Sequence, residues 1–304
     1  MKSLDVARHR SLVAACALVL VASLDVFAQS PATQPSSVPL ASLSTQPSMN
    51  VFRRFAADRA KMIGFYGDVL GLKQLPSIKL GNGEMILFQI GSGQVKLQAT
   101  PAASEYASGP VRDVSGLRVF TFFYPDEAAV TARFTQNGYP APQFQTRGTR
   151  RTAMVLDPEN QWVELVIVPN APPATYQSME VGLTVTDLEK SRAFYREFVG
   201  LEELPPVDDP ALGTKKYPFR HGTTTVNVWS YGKTAKANTR SAGIQYVVRD
   251  VVAVDTLAKE KGVKIDTPLG NFSAGLRTIW LSDPDGVTNY FAQIIPRDTP
   301  TQTR

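Results

Sequence analysis

Imidazole and thiolate chemistry are nearly absent from this chain. Its 304 residues include two histidines, His9 and His221, and one cysteine, Cys16. His9 belongs to an N-terminal segment expected to be removed, so one mature chain cannot assemble a two-histidine metal centre. His221 stands beside Gly222 in a hairpin pattern and reads as a loop residue rather than a ligand. No disulfide or thiolate site is expected in the mature chain. Carboxylates, amides, hydroxyls and amines remain. Two carboxylates held close without a cation repel, and one then keeps its proton at a raised pKa. Such a group serves as a general acid or base. With an amide beside them, the same carboxylates form an oxygen-rich cradle suited to Mg, Mn or Ca more than to Zn. The densest basic patch, Arg147, Arg150 and Arg151 around Gly148-Thr149, reads as a solvated hairpin tip, with an anion site as the alternative.

The N-terminus is set apart from the rest. Lys2, Arg8 and Arg10 precede an apolar run over 12–24, and Val26-Phe27-Ala28 places small residues where a signal peptidase reads. Residues 1–28 are therefore expected to be a cleavable export signal, cut after Ala28, with a periplasmic or secreted product. The run is too short for a comfortable transmembrane helix of about 20 residues. An uncleaved anchor is one alternative. Lipidation at Cys16 is another, but the apolar run continues past that residue. Residues 29–47 are rich in Ser, Pro, Gln and Thr and read as a disordered spacer. The net charge of +5 is scattered rather than clustered with aromatics, so no nucleic-acid module is expected. The remaining length suits about two domains.

The elements are ordered by an internal duplication. Asp58, Phe65-Tyr66 and Gly71-Leu72 recur at one constant offset as Asp187, Phe194-Tyr195 and Gly200-Leu201. Each copy reads as strand, capping Asp, helix, glycine stop and further strands. Each also ends in a turn followed by an apolar strand, Asp157-Pro158-Glu159-Asn160 in the first and Asp283-Pro284-Asp285-Gly286 in the second. The first copy covers 48–170, with helices near 60–70 and 127–136 and strands near 85–90, 95–99, 117–124, 151–156 and 161–168. A stiff linker over 171–177 leads to the second copy over 178–296, with helices near 188–198 and 251–260. The long loop over 205–216 reads as a lid or binding edge, or as disorder. A polar tail over 297–304 follows.

With strand, Asp, Phe-Tyr helix, Gly-Leu and the late Asp-Pro hairpin in place, the chain resembles the vicinal oxygen chelate superfamily. That group contains glyoxalase I, bleomycin-resistance proteins and extradiol dioxygenases. The resemblance implies an α+β fold of two tandem glyoxalase-like domains, each of two βαβββ units forming a curved mixed-sheet cup. It also implies a divalent metal (Mn, Mg, Zn, Fe or Ni) at the base of the cup, held by one side chain from each of four strands. It does not name the reaction, because the superfamily hosts lyases, dioxygenases, epimerases and binders.

Counting from the landmarks places these four positions at Val51, Lys96, Val119 and Glu164 in the first copy. In the second they fall at Glu180, Asn227, Gly243 and Tyr290. Neither copy alone holds a usual ligand set. Some fused glyoxalases pair the second unit with the third and the first with the fourth. That pairing would join Glu164, Glu180 and Asn227 as metal ligands, with Glu164 and Glu180 as the catalytic carboxylates. The bland alternative for either Glu is an exposed strand residue paired with a nearby Arg. Within one copy, Lys96 would instead face Glu164 as an ion pair replacing the metal. Lys96, Trp229 and Tyr290 are the candidate ligand contacts, since an aromatic ring in the cup suits a flat or apolar molecule, with core packing as the other expectation. The expected function is a small-molecule binder with a degenerate metal site. The alternative is a metal-dependent lyase or dioxygenase using Glu164 and Glu180, and whether the chain is an enzyme stays open. A small organic ligand is the expected partner, with no nucleic acid and no membrane after cleavage, and the chain a monomer or homodimer.

Overall fold

Four aspartates start the four main helices. In the computed structural model, Asp58, Asp126, Asp187 and Asp250 each accept a hydrogen bond from a first-turn amide, as Ala128 N to Asp126 Oδ1 at 2.7 Å illustrates. The structure describes residues 39–56, 58–80, 83–100, 109–232, 236–238, 242–273 and 275–296. The expected export signal, most of the spacer and the tail lie outside the described residues. No described helix is long and apolar enough to cross a membrane.

The chain forms four similar units. The first is β1 (Asn50–Phe55), α1 (Arg59–Gly64), β2 (Lys73–Leu80), β3 (Gly83–Ile90) and β4 (Gly93–Ala99). The second is β5 (Val114–Tyr124), α2 (Glu127–Gln136), β6 (Gln145–Arg147), β7 (Arg150–Leu156) and β8 (Trp162–Ile167). A helical turn, α3 (Pro173–Tyr176), leads to the third: β9 (Met179–Thr184), α4 (Leu188–Ala193), β10 (Glu202–Glu203), β11 (Val207–Asp209), β12 (Thr214–His221) and β13 (Thr224–Trp229). After β14 (Lys236–Asn238) comes the fourth: β15 (Ala242–Val247), α5 (Val251–Glu260), β16 (Ile265–Ser273), β17 (Leu276–Ser282) and β18 (Thr288–Ile294). Helices α1 and α4 each continue into a wider turn, Phe65–Val69 and Phe194–Val199, and Gly200 ends the latter at φ +80°.

The sheets are built across the duplication. One runs β16-β17-β18-β15-β1-β4-β3-β2 and joins the first unit to the fourth. The other runs β10-β12-β13-β9-β5-β8-β7-β6 and joins the second to the third, with β11 and β14 added. Antiparallel seams close both, β1 on β15 and β5 on β9. Each sheet is mixed and curved and turns one face to a shared apolar core that contains Val51, Phe65, Phe120, Val181, Phe194 and Ile244.

The repeated landmarks tie neighbouring units together through this core. Tyr66 in the first unit donates to Asp157 Oδ2 in the second at 3.1 Å, and Tyr195 in the third donates to Asp283 Oδ2 in the fourth at 2.9 Å. Each Asp also takes two amides of its own turn, as in Gln161 N to Asp157 Oδ1 at 2.9 Å and Val287 N to Asp283 Oδ1 at 2.8 Å. In the first half Arg53 adds a buried ion pair to Asp157 at 2.6 Å. So the sequence signature is a structural joint between helix and hairpin.

Part of the expected spacer is not loose. Leu40–Leu43 forms a helical turn with Leu40 and Leu43 buried. Thr45 N donates to Val247 O at 2.8 Å, and Arg249 N donates to Leu43 O at 2.9 Å. Two leucines in a polar stretch are enough to dock it, because an unfilled groove at the end of β15 accepts them. The spacer reading therefore fails for 39–47.

Candidate functional site

Strand alternation sorts side chains between core and cup. On β9, Val181 and Leu183 enter the core while Glu180, Gly182 and Thr184 face the cup. The register sets Glu180 opposite Thr121 on β5, and Thr121 opposite Glu164 on β8. Glu180, Thr121 and Glu164 thus lie in one row across three adjacent strands. Asn227 joins them from β13, its Nδ2 donating to Glu180 Oε2 at 2.7 Å. Thr121 Oγ1 donates to Glu164 Oε2 at 2.9 Å. The three residues expected from the cross-unit pairing therefore share one cup.

Two cations occupy the place where a metal would sit. Lys216, nearly fully buried, places Nζ 2.6 Å from Asp209 Oδ2 and 3.7 Å from Glu180 Oε2. Arg150 reaches Glu164 Oε2 and Asp209 Oδ2, both at 3.9 Å. Asp209 is fixed in turn by the amides of Ala211 and Leu212 at 2.9 and 3.0 Å. Burial pushes the Glu164 carboxyl above its ordinary range, Glu180 and Asp209 push the same way, and Lys216 and Arg150 oppose them. Burial also works to raise Asp209, but the ammonium of Lys216 outweighs it and holds Asp209 below the usual range. Three carboxylates against two cations balance when Glu164 keeps a proton, and its Oε1 has no hydrogen-bond partner.

These residues do not fit a divalent ion. The ammonium and guanidinium groups already neutralise the carboxylates, and a dication would have to displace them. No group of three or more His, Cys, Asp or Glu side chains among the described residues forms a metal cradle. Trp229 completes the filling. It is buried, donates Nε1 to Thr184 Oγ1 at 2.9 Å and lies on Gly182, where a Cβ would stand 2.0 Å from the ring. Trp229 is thus part of the filling of this cup and offers no open surface to a ligand.

Several expectations change in detail. Lys96 does not face Glu164, because β4 belongs to the other sheet. Lys216 takes the role foreseen for it. Val51 is fully buried in the core, since one more residue separates the cup-facing Arg54 from Asp58 than separates Thr184 from Asp187. Asn50, its neighbour, faces the cup. Val119 and Gly243 precede Thr121 and Gln245 by one pleat on the same face. Arg150 is not a solvated hairpin residue, while Arg151 pairs with Glu127 at 2.6 Å on the surface. The 205–216 loop supplies β11, Asp209 and Lys216. The pairs Asp208-Asp209 and Lys215-Lys216 were its only sequence signal. His221, at the end of β12, places Nε2 3.1 Å from Ser44 Oγ.

The first-unit and fourth-unit sheet holds a different cup. Here Asn50, Lys96, Gln245 and Tyr290 occupy the positions held elsewhere by Glu180, Asn227, Thr121 and Glu164. An open cavity of about 90 Å³ lies over Lys96, Gln245 and Tyr290, walled also by Phe52, Trp280, Phe272, Met85 and Leu276. Trp280 and Tyr290 stack across neighbouring strands with centroids 4.7 Å apart, and Phe52 meets Tyr290 edge-on at 5.3 Å. The Arg54 guanidinium covers Trp280 at 5.3 Å. Asn50 Nδ2 donates to Gln245 Oε1 at 3.0 Å. Burial alone pulls Lys96 down to about 8. Among the described residues no carboxylate lines this cavity. Lys96 and Tyr290 are therefore together in an open cup, while Trp229 is in the closed one.

The fold and these two rows of inward side chains define a class: proteins of paired βαβββ units that present cups on curved sheets. Comparison with known proteins places the chain within that class. The model of the Glyoxalase/Bleomycin resistance protein/Dioxygenase superfamily matches residues 48–175 and 177–291, and the chain belongs to this superfamily. Glyoxalase I from Zea mays is similar in structure, with TM-score 0.64 and 19% identity over 83% of this chain and 94% of that one. A putative dioxygenase from Bacillus subtilis gives TM-score 0.59 and 13% identity over 83% and 87% of the two chains. At such identities the likeness concerns the fold alone. No curated protein gives a significant match.

Proposed function

We propose that this protein is an exported small-molecule binder of its superfamily, with one working cup and one closed cup. The working cup is the cavity over Lys96 and Tyr290. The observation that carries the reading is the contrast between the two equivalent rows. One is filled by Trp229, Lys216, Arg150 and Asp209, and the other is an open cavity with aromatic walls. Aromatic walls with a few polar groups at the base suit a flat, mainly apolar molecule. The closed row then serves stability rather than chemistry.

The basic, apolar and small-residue segments of 1–28 support export. Cell fractionation and N-terminal sequencing test this point, with a mature chain starting at Gln29 expected.

The binding reading is tested by a thermal-shift screen of small aromatic and heteroaromatic compounds against the wild type and Gln98→Trp. Gln98 lines the cavity, and a tryptophan there would fill it. Hits that stabilise the wild type and not the variant are expected. Hits that stabilise both equally would refute the assignment of the cup. The rival reading, a metal-dependent lyase or dioxygenase on Glu164 and Glu180, has both carboxylates in one cup in its favour and Lys216 against it. Elemental analysis of untagged protein separates the two: about one divalent metal per chain, lost on Glu164→Ala and Glu180→Ala, would restore the rival.

A further inference from the structure

We infer that the ligand of the open cup is a flat aromatic or conjugated organic anion, seated with its charged group on Lys96. The inference rests on the reading of this cavity as the ligand site. Lys96 projects from β4 into the cavity beside Phe52, and among the described residues no carboxylate lines the space it faces. Its amine has no ion pair or hydrogen bond within the described residues. A second positive group, Arg54, lies over Trp280. Among the described residues the cavity lining therefore holds one cation, Lys96, four aromatic rings and no carboxylate.

An ammonium partly withdrawn from water, with no carboxylate beside it among the described residues, is poorly compensated. The loss is visible in the amine itself, which burial alone depresses to about 8. An incoming anion would supply the missing counter-charge and raise the Lys96 pKa back toward its ordinary value. The equivalent Asn227 in the closed cup illustrates the contrast, since its amide is already satisfied by Glu180 at 2.7 Å. The rings decide the rest of the ligand. Trp280 and Tyr290 stack on each other, at 14° and 4.7 Å, and with Phe52 and Phe272 they form an apolar wall that an organic ligand can contact. A compact inorganic anion would leave that wall bare and gain nothing from it.

The test uses 2-naphthoate and its neutral isostere 2-naphthamide, measured by titration calorimetry at pH 7 on the whole protein. The wild type, Lys96→Met and the cup-filling Gln98→Trp are compared. Lys96→Met keeps the apolar stem and removes the charge. The expected result is naphthoate at least about tenfold tighter than the amide on the wild type, the gain of one charge-assisted contact. This preference should vanish in Lys96→Met and all binding in Gln98→Trp. Equal affinity for both probes, or a preference that survives Lys96→Met, overturns the inference. If the cup-filling variant still abolishes that equal binding, the assignment of the cup stands without the charge. No heat from either probe on the wild type overturns both.

Discussion

Lys216 holds the closed cup together, and its removal should be costly in a pH-dependent way. Lys216→Met keeps much of the side-chain volume but leaves Asp209 and Glu180 without the ammonium that lies 2.6 and 3.7 Å away. Arg150, at 3.9 Å from both Asp209 and Glu164, is the remaining cation. Removing one partner of a buried ion pair costs about 3–5 kcal/mol, because the other charge stays in a site without water. For a domain of this size about 1 kcal/mol moves Tm by roughly 2–4 °C, so a fall of roughly 6–20 °C is expected at pH 7.5. The sign of the pH effect follows from the carboxylates. In the wild type Lys216 holds Asp209 below its ordinary range, a contribution present above the unfolded pKa near 4 and lost as pH falls through the native value. In the variant that carboxyl is raised instead, so the native state gains by binding a proton and stability recovers on acidification. The difference between wild type and variant should therefore shrink from pH 7.5 to pH 5. Urea denaturation at both pH values measures it. A cost under about 1 kcal/mol, or a gap that does not change with pH, would refute the account. Stabilisation of the wild type by manganese would return the cup to metal chemistry.

Other consequences can be measured with the same tools. Gly182→Ala would place a Cβ 2.0 Å from the Trp229 ring and should cost about 1–3 kcal/mol or more. Adding Trp229→Leu should recover most of that loss, and no recovery would mean that Trp229 is not the obstacle. Asp283 is buried without the cation that Asp157 enjoys, and burial, with Asp285 adding to it, pushes it up to about 7. The native state thus keeps a proton that the unfolded chain has lost, so stability should fall as pH rises from about 4 to about 7. The wild type should lose stability across that window more steeply than Asp283→Asn, and parallel pH profiles would contradict this. Leu40→Ala should cost about 2–4 kcal/mol if the segment is docked as observed. A cost near zero would return 39–47 to a loose spacer.

Much of this protein is legible in its residues. The Asp caps, the Phe-Tyr pairs and the Asp-Pro turns announce the duplication, and in the structure they are what caps the helices and joins helix to hairpin. Strand and helix order follow from them. Two outer strands, β2 and β16, escape a sequence reading. Each carries a proline, Pro76 and Pro268, and each is an edge strand largely without buried apolar residues, so the alternation that marks a strand is missing. Glu164, Glu180 and Asn227 can be placed by counting, because the turns that anchor the count are fixed by sequence-specific hydrogen bonds.

What the sequence determined by itself is the repeating unit, since capping, turn formation and apolar alternation are local and depend on which side chain stands where. Only the tertiary structure decided which units share a sheet. The seams β1–β15 and β5–β9 are made by backbone amides and carbonyls, which every residue supplies alike, so the sequence does not spell out the partner. That choice separates Lys96 from Glu164 and leaves it alone in an aromatic cup. It also lets a polar loop fold back and set Asp209 and Lys216 among the carboxylates, closing one site while the other stays open.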